Sequence, residues 1–120
     1  MRERSSNIAA NQEVVEHDRE ELEIILRGSD EQAIQNALLS AAYYHPDWKW
    51  VQSQCLALTH HNDHNVRSVA ATCLGHIARI HRQLDLDLVL QRLTEMKVDP
   101  LVSAGVDDAL DDIRFYLKFQ

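Results

Sequence analysis

Apolar residues recur along this chain at intervals of three and four positions, which is the period of one face of an α-helix. The pattern divides into six segments separated by short polar breaks, and strand-like alternation is absent from it. Gly28 ends the first segment, Ser29 with Gln32 forms a capping-box pattern for the second, and Pro46 suits the first turn of the third. The predicted helices cover about 13–27, 30–44, 46–60, 66–83, 86–96 and 106–117. Residues 1–12 are polar and aperiodic, so we predict a mobile tail followed by a single domain at 13–120.

The breaks before the second, fourth and sixth predicted helices each contain an aspartate, which indicates an internal repeat. Asp30, Asp63 and Asp99 are spaced by 33 and 36 residues, a spacing found in helical repeat proteins. Small residues follow each aspartate, and they would let paired helices approach closely: Ala33, Ala37 and Ala41; Ala70, Ala71 and Gly75; Ala104 and Ala109. The sequence therefore predicts an all-α fold of about three stacked helical hairpins.

The segment from Asp63 to Ala78 carries the clearest repeat motif. It begins DHNVRSVA and ends LGHIA, which is an Asp, a Val-Arg pair and an Ala, followed by Leu-Gly and Ile. This order resembles the HEAT-repeat consensus. The resemblance implies a short right-handed α-solenoid in which Asp63 and Arg67 belong to the ladder of polar contacts between repeats. The unit at Asp30 matches more weakly and the unit at Asp99 more weakly still, as is common in terminal repeats.

A longer pattern, from His64 to His81 and again from Asp107 to Ile113, is similar to small bacterial HEAT-like proteins. Some of these are immunity proteins of contact-dependent growth-inhibition systems. The similarity extends over about residues 13–118. It implies a protein that binds and blocks a toxin domain, often a nuclease, inside the bacterium that produces it. The main alternative is a HEAT-like scaffold or adaptor that binds an unrelated cellular protein.

The formal net charge of −7 and the pI near 5.4 favour a basic protein partner and argue against nucleic acid. Residues 13–63 hold ten acidic residues against three Lys or Arg, and residues 84–120 hold eight against four. Between them, residues 64–83 contain three Arg and no acidic residue. Ordinary solubility is the alternative explanation of this charge.

Cys55 and Cys73 lie within apolar helical patterns, which predicts buried, reduced thiols and a cytoplasmic protein. The first twelve residues lack the apolar segment of a signal peptide, and no apolar run approaches the roughly 18 residues of a membrane span. We expect a protein that is neither secreted nor inserted in a membrane, and a monomer until it meets its partner.

Four aspartates in the last predicted helix are the densest charge feature: Asp107, Asp108, Asp111 and Asp112. Like charges at i, i+4 spacing repel one another, and docking onto a basic surface would compensate that cost. The alternative is a solvated face with acids near a helix N-terminus, which accounts for Asp107 and Asp108 better than for the other two. We predict that the four aspartates contact the partner.

Tyr43, Tyr44, Trp48 and Trp50 cluster around one turn between helices, and exposed aromatic residues often anchor protein interfaces. Trp48 and Trp50 cannot share a helix face. Some of the four belong to the core, and we predict that at least one contacts the partner.

The sequence shows no catalytic arrangement and implies no cofactor. His60, His61, Asp63 and His64 resemble a set of metal ligands, but neither a Cys pair nor a helix-spaced His pair with Glu accompanies them. We predict turn and capping roles for these histidines and no metal site. No nucleophile is paired with a base, and a HEAT-like enzyme acting on DNA would need a basic groove. We therefore expect a binding protein and not an enzyme.

Overall fold

The structure, a computed structural model, describes residues 14–118, and these form six α-helices without a β-strand. The helices are α1 (Arg19–Leu26), α2 (Glu31–Tyr44), α3 (Trp48–Leu58), α4 (His64–His81), α5 (Leu86–Met96) and α6 (Ser103–Leu117). The predicted all-α class and the predicted number of helices are confirmed over this range. The predicted mobile tail at residues 1–12 lies outside the described residues.

Aspartates set the starts of the first helices. The Asp18 carboxylate accepts a hydrogen bond from the Glu21 N–H, and the Glu21 side chain accepts one from the Asp18 N–H. This capping box starts α1 at Arg19. The predicted start near residue 13 is therefore wrong, because Val14 and Val15 precede the cap and are not helical.

Two further predicted helix starts need correction. Asp30, and not Ser29, caps α2, because the Asp30 carboxylate accepts from the Ala33 N–H at 3.1 Å. Asp47 caps α3 in the same way, so Pro46 precedes the cap and does not form the first helical turn. In each case a carboxylate adjacent to the predicted position satisfies an N–H that the helix leaves unpaired.

Helix α4 lies at the centre of the fold, where it packs against α2, α3 and α6. Helix α1 packs on α2, α3 packs on α4, and α5 packs on α6, which gives three hairpins. The second helices of these hairpins, α2, α4 and α6, lie side by side in one layer. A single hydrophobic cluster extends from Leu22 to Ile113 through all three hairpins. The right-handed sense of the array stays a prediction. Across residues 14–118, no helix is both long enough and apolar enough to cross a bilayer.

Helices α4 and α6 approach closely where glycine replaces a side chain. A Cβ atom at Gly105 would lie 2.6 Å from the Ser68 Oγ and 2.9 Å from the Ser68 carbonyl oxygen. Contacts this short are repulsive, so only glycine fits at position 105 without a shift of the helices. This crossing fixes the face of α6 that lies beside α4.

Arg67 joins the second hairpin to the third. Its Nη1 donates to the carbonyl oxygens of His61 and Asn62, each at 2.9 Å, and its Nη2 donates to the Asp99 carboxylate at 3.3 Å. The Asp63 carboxylate instead caps α4 through the Val66 N–H. Of the two residues assigned to the inter-repeat ladder, Arg67 makes the contact between repeats and Asp63 stays within its own.

Candidate partner-binding face

The four aspartates of α6 fall into two pairs with different surroundings. Asp107 is 3.1 Å from the Lys97 Nζ, and Asp111 is 3.8 Å from an Arg114 nitrogen. Within residues 14–118, neither Asp108 nor Asp112 has a Lys, Arg or His nitrogen within 4.0 Å. Asp108 is exposed and Asp112 is half-buried. The negative charge of this second pair is therefore not neutralised by an ion pair inside the described chain.

The helix N-terminus does not account for these acids. Helix α6 begins at Ser103, and its first turn contains no acidic residue. Asp107 and Asp108 lie in the second turn, whereas the favourable effect of the helix dipole falls off within the first. The alternative explanation of the aspartates as dipole partners thus loses its main support.

His76 of α4 lies between α2 and α6. Its ring packs edge-on against the Tyr43 ring at 5.3 Å, and its Nδ1 accepts a hydrogen bond from Arg79 at 3.1 Å. Burial and the Arg79 charge lower the pKa of His76, while the Asp112 and Asp108 carboxylates act in the opposite direction. The Arg79 hydrogen bond requires an unprotonated Nδ1, which agrees with a neutral imidazole.

We call the residues that meet at this point the α2–α4–α6 cluster. It consists of Tyr43 from α2, His76 and Arg79 from α4, and Asp108 and Asp112 from α6. The structure thus brings one predicted aromatic contact and two predicted acidic contacts together around His76. In the sequence, His76 and Arg79 lie away from the apolar stripe of α4, which favours pairing with acidic residues of neighbouring repeats over contact with a partner. The structure instead pairs Arg79 with His76.

The two tyrosines of the predicted aromatic group are exposed. Tyr43 is 37% exposed and Tyr44 is 47% exposed. The Tyr44 hydroxyl donates to the Val14 carbonyl oxygen at 3.2 Å, which ties the segment before α1 to the end of α2. Tyr43 has its ring beside the cluster, so it is the aromatic residue best placed to share a partner with the acids.

The two tryptophans are engaged within the fold. Trp48 and Trp50 are both half-buried and pack against the core cluster. The Arg19 guanidinium lies 4.4 Å from the Trp50 ring centroid, and the His45 ring lies 4.9 Å from it. Trp50 therefore holds α1 against α3, and the structure does not join the tryptophans to the α6 aspartates.

In the histidine-rich turn, His61 has the predicted turn role, whereas the side chain that caps α4 is Asp63 and not a histidine. The His61 Nδ1 accepts from the Asp63 N–H at 2.9 Å, and the His60 Nδ1 is 3.3 Å from an Arg92 nitrogen. Arg92 also donates to the Thr59 hydroxyl and carbonyl oxygens. Among the described residues, no three His, Cys, Asp or Glu side chains are arranged as metal ligands.

The cysteines are buried and reduced, as predicted. A hydrogen bond with the Cys55 thiol and burial raise the pKa of the Cys73 thiol well above its ordinary value. A protonated thiol without access to solvent is a poor nucleophile. Cys73 is therefore poorly suited to act as a nucleophile, and the Cys55 thiol is buried as well.

A cavity of about 200 Å³ lies between α3 and α5, away from the cluster. It is lined by Leu56, His60, Leu88, Gln91, Arg92 and Glu95. Arg92 is already bound to Thr59 and Glu95, so the charged wall of this cavity is occupied by contacts within the fold.

This chain is similar in both sequence and fold to a chain of known structure. A chain in the crystal structure of a CDI complex from Cupriavidus taiwanensis LMG 19424 is 33% identical, with a TM-score of 0.81. The match covers 88% of this chain and 95% of that chain. No protein-family model matches the sequence, and no curated protein matches it.

Proposed function

The chain belongs to the same family as this CDI-complex protein of Cupriavidus taiwanensis, and on that premise we propose that it is an immunity protein that neutralises a toxin domain. The match over nearly the full length of both chains is the observation that carries the proposal. CDI stands for contact-dependent growth inhibition, which agrees with the resemblance seen in the sequence. The proposed activity is binding and not catalysis.

The proposed contact surface is the face of α6 with the adjoining tyrosines. It includes Asp107, Asp108, Asp111 and Asp112, together with Tyr43 and Tyr44. Asp108 and Asp112 support this choice best, because carboxylates without an ion-pair partner in residues 14–118 gain most from a cationic side chain. Trp48 and Trp50 form a second candidate surface at the α2–α3 turn, with the smaller expected contribution because both already pack within the fold.

The proposed mechanism is occlusion of the toxin's active site. A nuclease carries basic residues where it binds phosphate, and the acidic face of α6 complements such a site in charge. Complementary charge accelerates the encounter and fixes the orientation of the complex. Once docked, the helical surface excludes the substrate by its volume. The protein would act inside the cell that makes it, in the cytoplasm.

Growth protection tests this proposal directly. We expect a toxin gene beside the gene of this protein; its toxin domain is induced in a host with or without this protein, and growth is followed. We expect growth only when the protein is present, and we expect isolated toxin domain and protein to bind at nanomolar concentration. Absence of protection and of binding would favour the scaffold or adaptor instead.

A matched pair of double variants then tests the surface. Asp108→Asn with Asp112→Asn removes the carboxylates that lack an ion pair, and Asp107→Asn with Asp111→Asn removes the same charge from the paired ones. We expect the first variant to weaken toxin binding by about tenfold or more and the second by markedly less. Equal losses would show that only net charge matters and would remove the assignment to Asp108 and Asp112.

A further inference from the structure

Arg79 is held in place by two neighbours. Its Nη2 donates to the His76 Nδ1 at 3.1 Å, and its Cζ lies 5.9 Å from the Tyr43 ring centroid. The Tyr43 and His76 rings also contact each other edge to face. The three side chains therefore limit one another's rotation, and the half-buried guanidinium has a defined position.

Most of the hydrogen-bonding capacity of Arg79 is unused within residues 14–118. A guanidinium has five N–H donors, and the His76 contact uses one. No carboxylate of the described residues lies within 4.0 Å of Arg79, although Asp108 and Asp112 are near enough to act on the pKa of His76. By contrast, Arg67 donates to three acceptors.

A fixed guanidinium among acids restricts which partner can dock. A uniformly basic partner that pairs with Asp108 and Asp112 would be repelled by Arg79. A polyanion such as nucleic acid would be repelled by the four aspartates of α6. A single carboxylate satisfies both conditions, because the planar fork of a guanidinium can bind it through two parallel hydrogen bonds.

Resting on the proposed function, we infer that Arg79 determines the specificity of the toxin-binding surface by binding a carboxylate of the toxin domain. That carboxylate lies beside the basic side chains that pair with α6. His76 acts as a positioning residue, since it holds one edge of the guanidinium and leaves the other free for the toxin. The toxin surface thus has mixed charge, with one acidic residue within a basic region.

Charge reversal at Arg79 tests the inference by calorimetric titration with the toxin domain used in the growth-protection experiment. The control is Arg27→Glu, which makes the same change in net charge at the exposed C-cap residue of α1. We expect Arg79→Glu to raise Kd by at least about 30-fold, as for loss of a hydrogen-bonded charge pair. We expect Arg27→Glu to raise it by less than about threefold.

Arg79→Lys separates fork geometry from charge, because lysine keeps the charge without the planar donors. We expect it to weaken binding by about tenfold, with thermal unfolding confirming that each variant is folded. Next, each Asp and Glu of the toxin domain is changed to Lys in turn, and the affinity of each toxin variant for the Arg79→Glu protein is measured. Recovery of at least about tenfold in affinity by one of these changes identifies the recognised carboxylate.

The possible outcomes distinguish failure of this inference from failure of the proposed immunity function. Tight wild-type binding with equal effects of Arg79→Glu and Arg27→Glu would overturn the role of Arg79 and leave the immunity function standing. Tight binding with a large Arg79→Glu effect that no toxin carboxylate rescues would also overturn recognition of a carboxylate. Failure of the wild-type protein to bind would overturn both.

Discussion

Gly75 of α4 lies against Ala109 of α6 so closely that a Cβ atom on Gly75 would be 2.9 Å from the Ala109 Cα. The same atom would be 3.2 Å from the Asp112 side chain. The absence of a side chain at position 75 therefore places α6 beside His76, and the acidic residues of the cluster depend on it.

Alanine at either glycine of this crossing should destabilise the protein. Alanine favours a helix by about 1 kcal/mol over glycine, but the clash with backbone atoms costs about 1–3 kcal/mol. We expect Gly75→Ala and Gly105→Ala to lower the free energy of unfolding by about 1 kcal/mol, within a net range of about 0–2 kcal/mol, measured by urea denaturation. Gly28→Ala is the control, since its nearest contact would be 3.3 Å away and within its own turn. A higher urea midpoint for Gly75→Ala would contradict the close crossing.

Protonation of His76 should weaken the folded state. Burial and Arg79 lower its pKa below that of the unfolded chain, about 6.5, although Asp112 and Asp108 oppose the shift. Between the two pKa values the unfolded chain binds more protons, so the free energy of unfolding falls as the pH drops below about 6.5. At pH values below the pKa of His76 in the folded protein, this group causes no further decrease in the free energy of unfolding.

Urea denaturation from about pH 8 to about pH 5 measures this effect. The wild-type protein should lose stability relative to His76→Gln as the pH falls, because glutamine has no proton to gain in this range. Parallel stability curves for the two proteins would show that His76 is not the group responsible.

Gln52 and Asp85 form a reciprocal pair between α3 and the start of α5. The buried Gln52 donates to the Asp85 carboxylate and accepts from the Asp85 N–H, both at 2.8 Å. Gln52→Glu places two carboxylates together and should cost about 1–3 kcal/mol of unfolding free energy at neutral pH. Adding Asp85→Asn restores a donor opposite a carboxylate and should recover most of the loss. If the double variant is no more stable than Gln52→Glu, the pair is not coupled.

We expect Trp50 to contribute more to the stability of the fold than to toxin binding. Trp50→Ala removes the contacts with Arg19 and His45 and should lower the unfolding free energy by about 1–3 kcal/mol. Phe115→Ala is the comparison, because Phe115 is 65% exposed and its removal should cost no more than about 0.5 kcal/mol. A stable Trp50→Ala variant with weakened toxin binding would instead place Trp50 at the interface.

The sequence predicted the helices well where a strong apolar period met a strong stop signal. For α4, the period from Val66 to Ile80 lies within the observed helix, whereas the sequence assigned Asp63 to the ladder between repeats and the structure shows it as the N-cap. The start of α1 was misplaced because Val14 and Val15 continue the apolar period beyond the Asp18 cap. Periodicity reports which residues favour burial, and it does not report where the backbone hydrogen bonds begin.

The site was less predictable because it depends on contacts between helices. The sequence identified Asp108 and Tyr43, but their shared neighbour His76 emerges only when α4 is placed between α2 and α6. Likewise, the ion pair of Asp107 with Lys97 joins residues on either side of the α5–α6 turn. Which aspartates are neutralised and which are not follows from tertiary packing, and helical spacing cannot supply it.

The glycine crossing also limits how related proteins with this fold can diversify. Exposed positions such as 43, 108 and 111, and the half-buried position 79, can change without disturbing the contact between α4 and α6, so new partner specificities can arise there at little cost in stability. Positions 75 and 105 lack that freedom, because any larger residue would separate the two helices and move the whole surface. A variable recognition surface would then rest on a crossing that tolerates almost no variation.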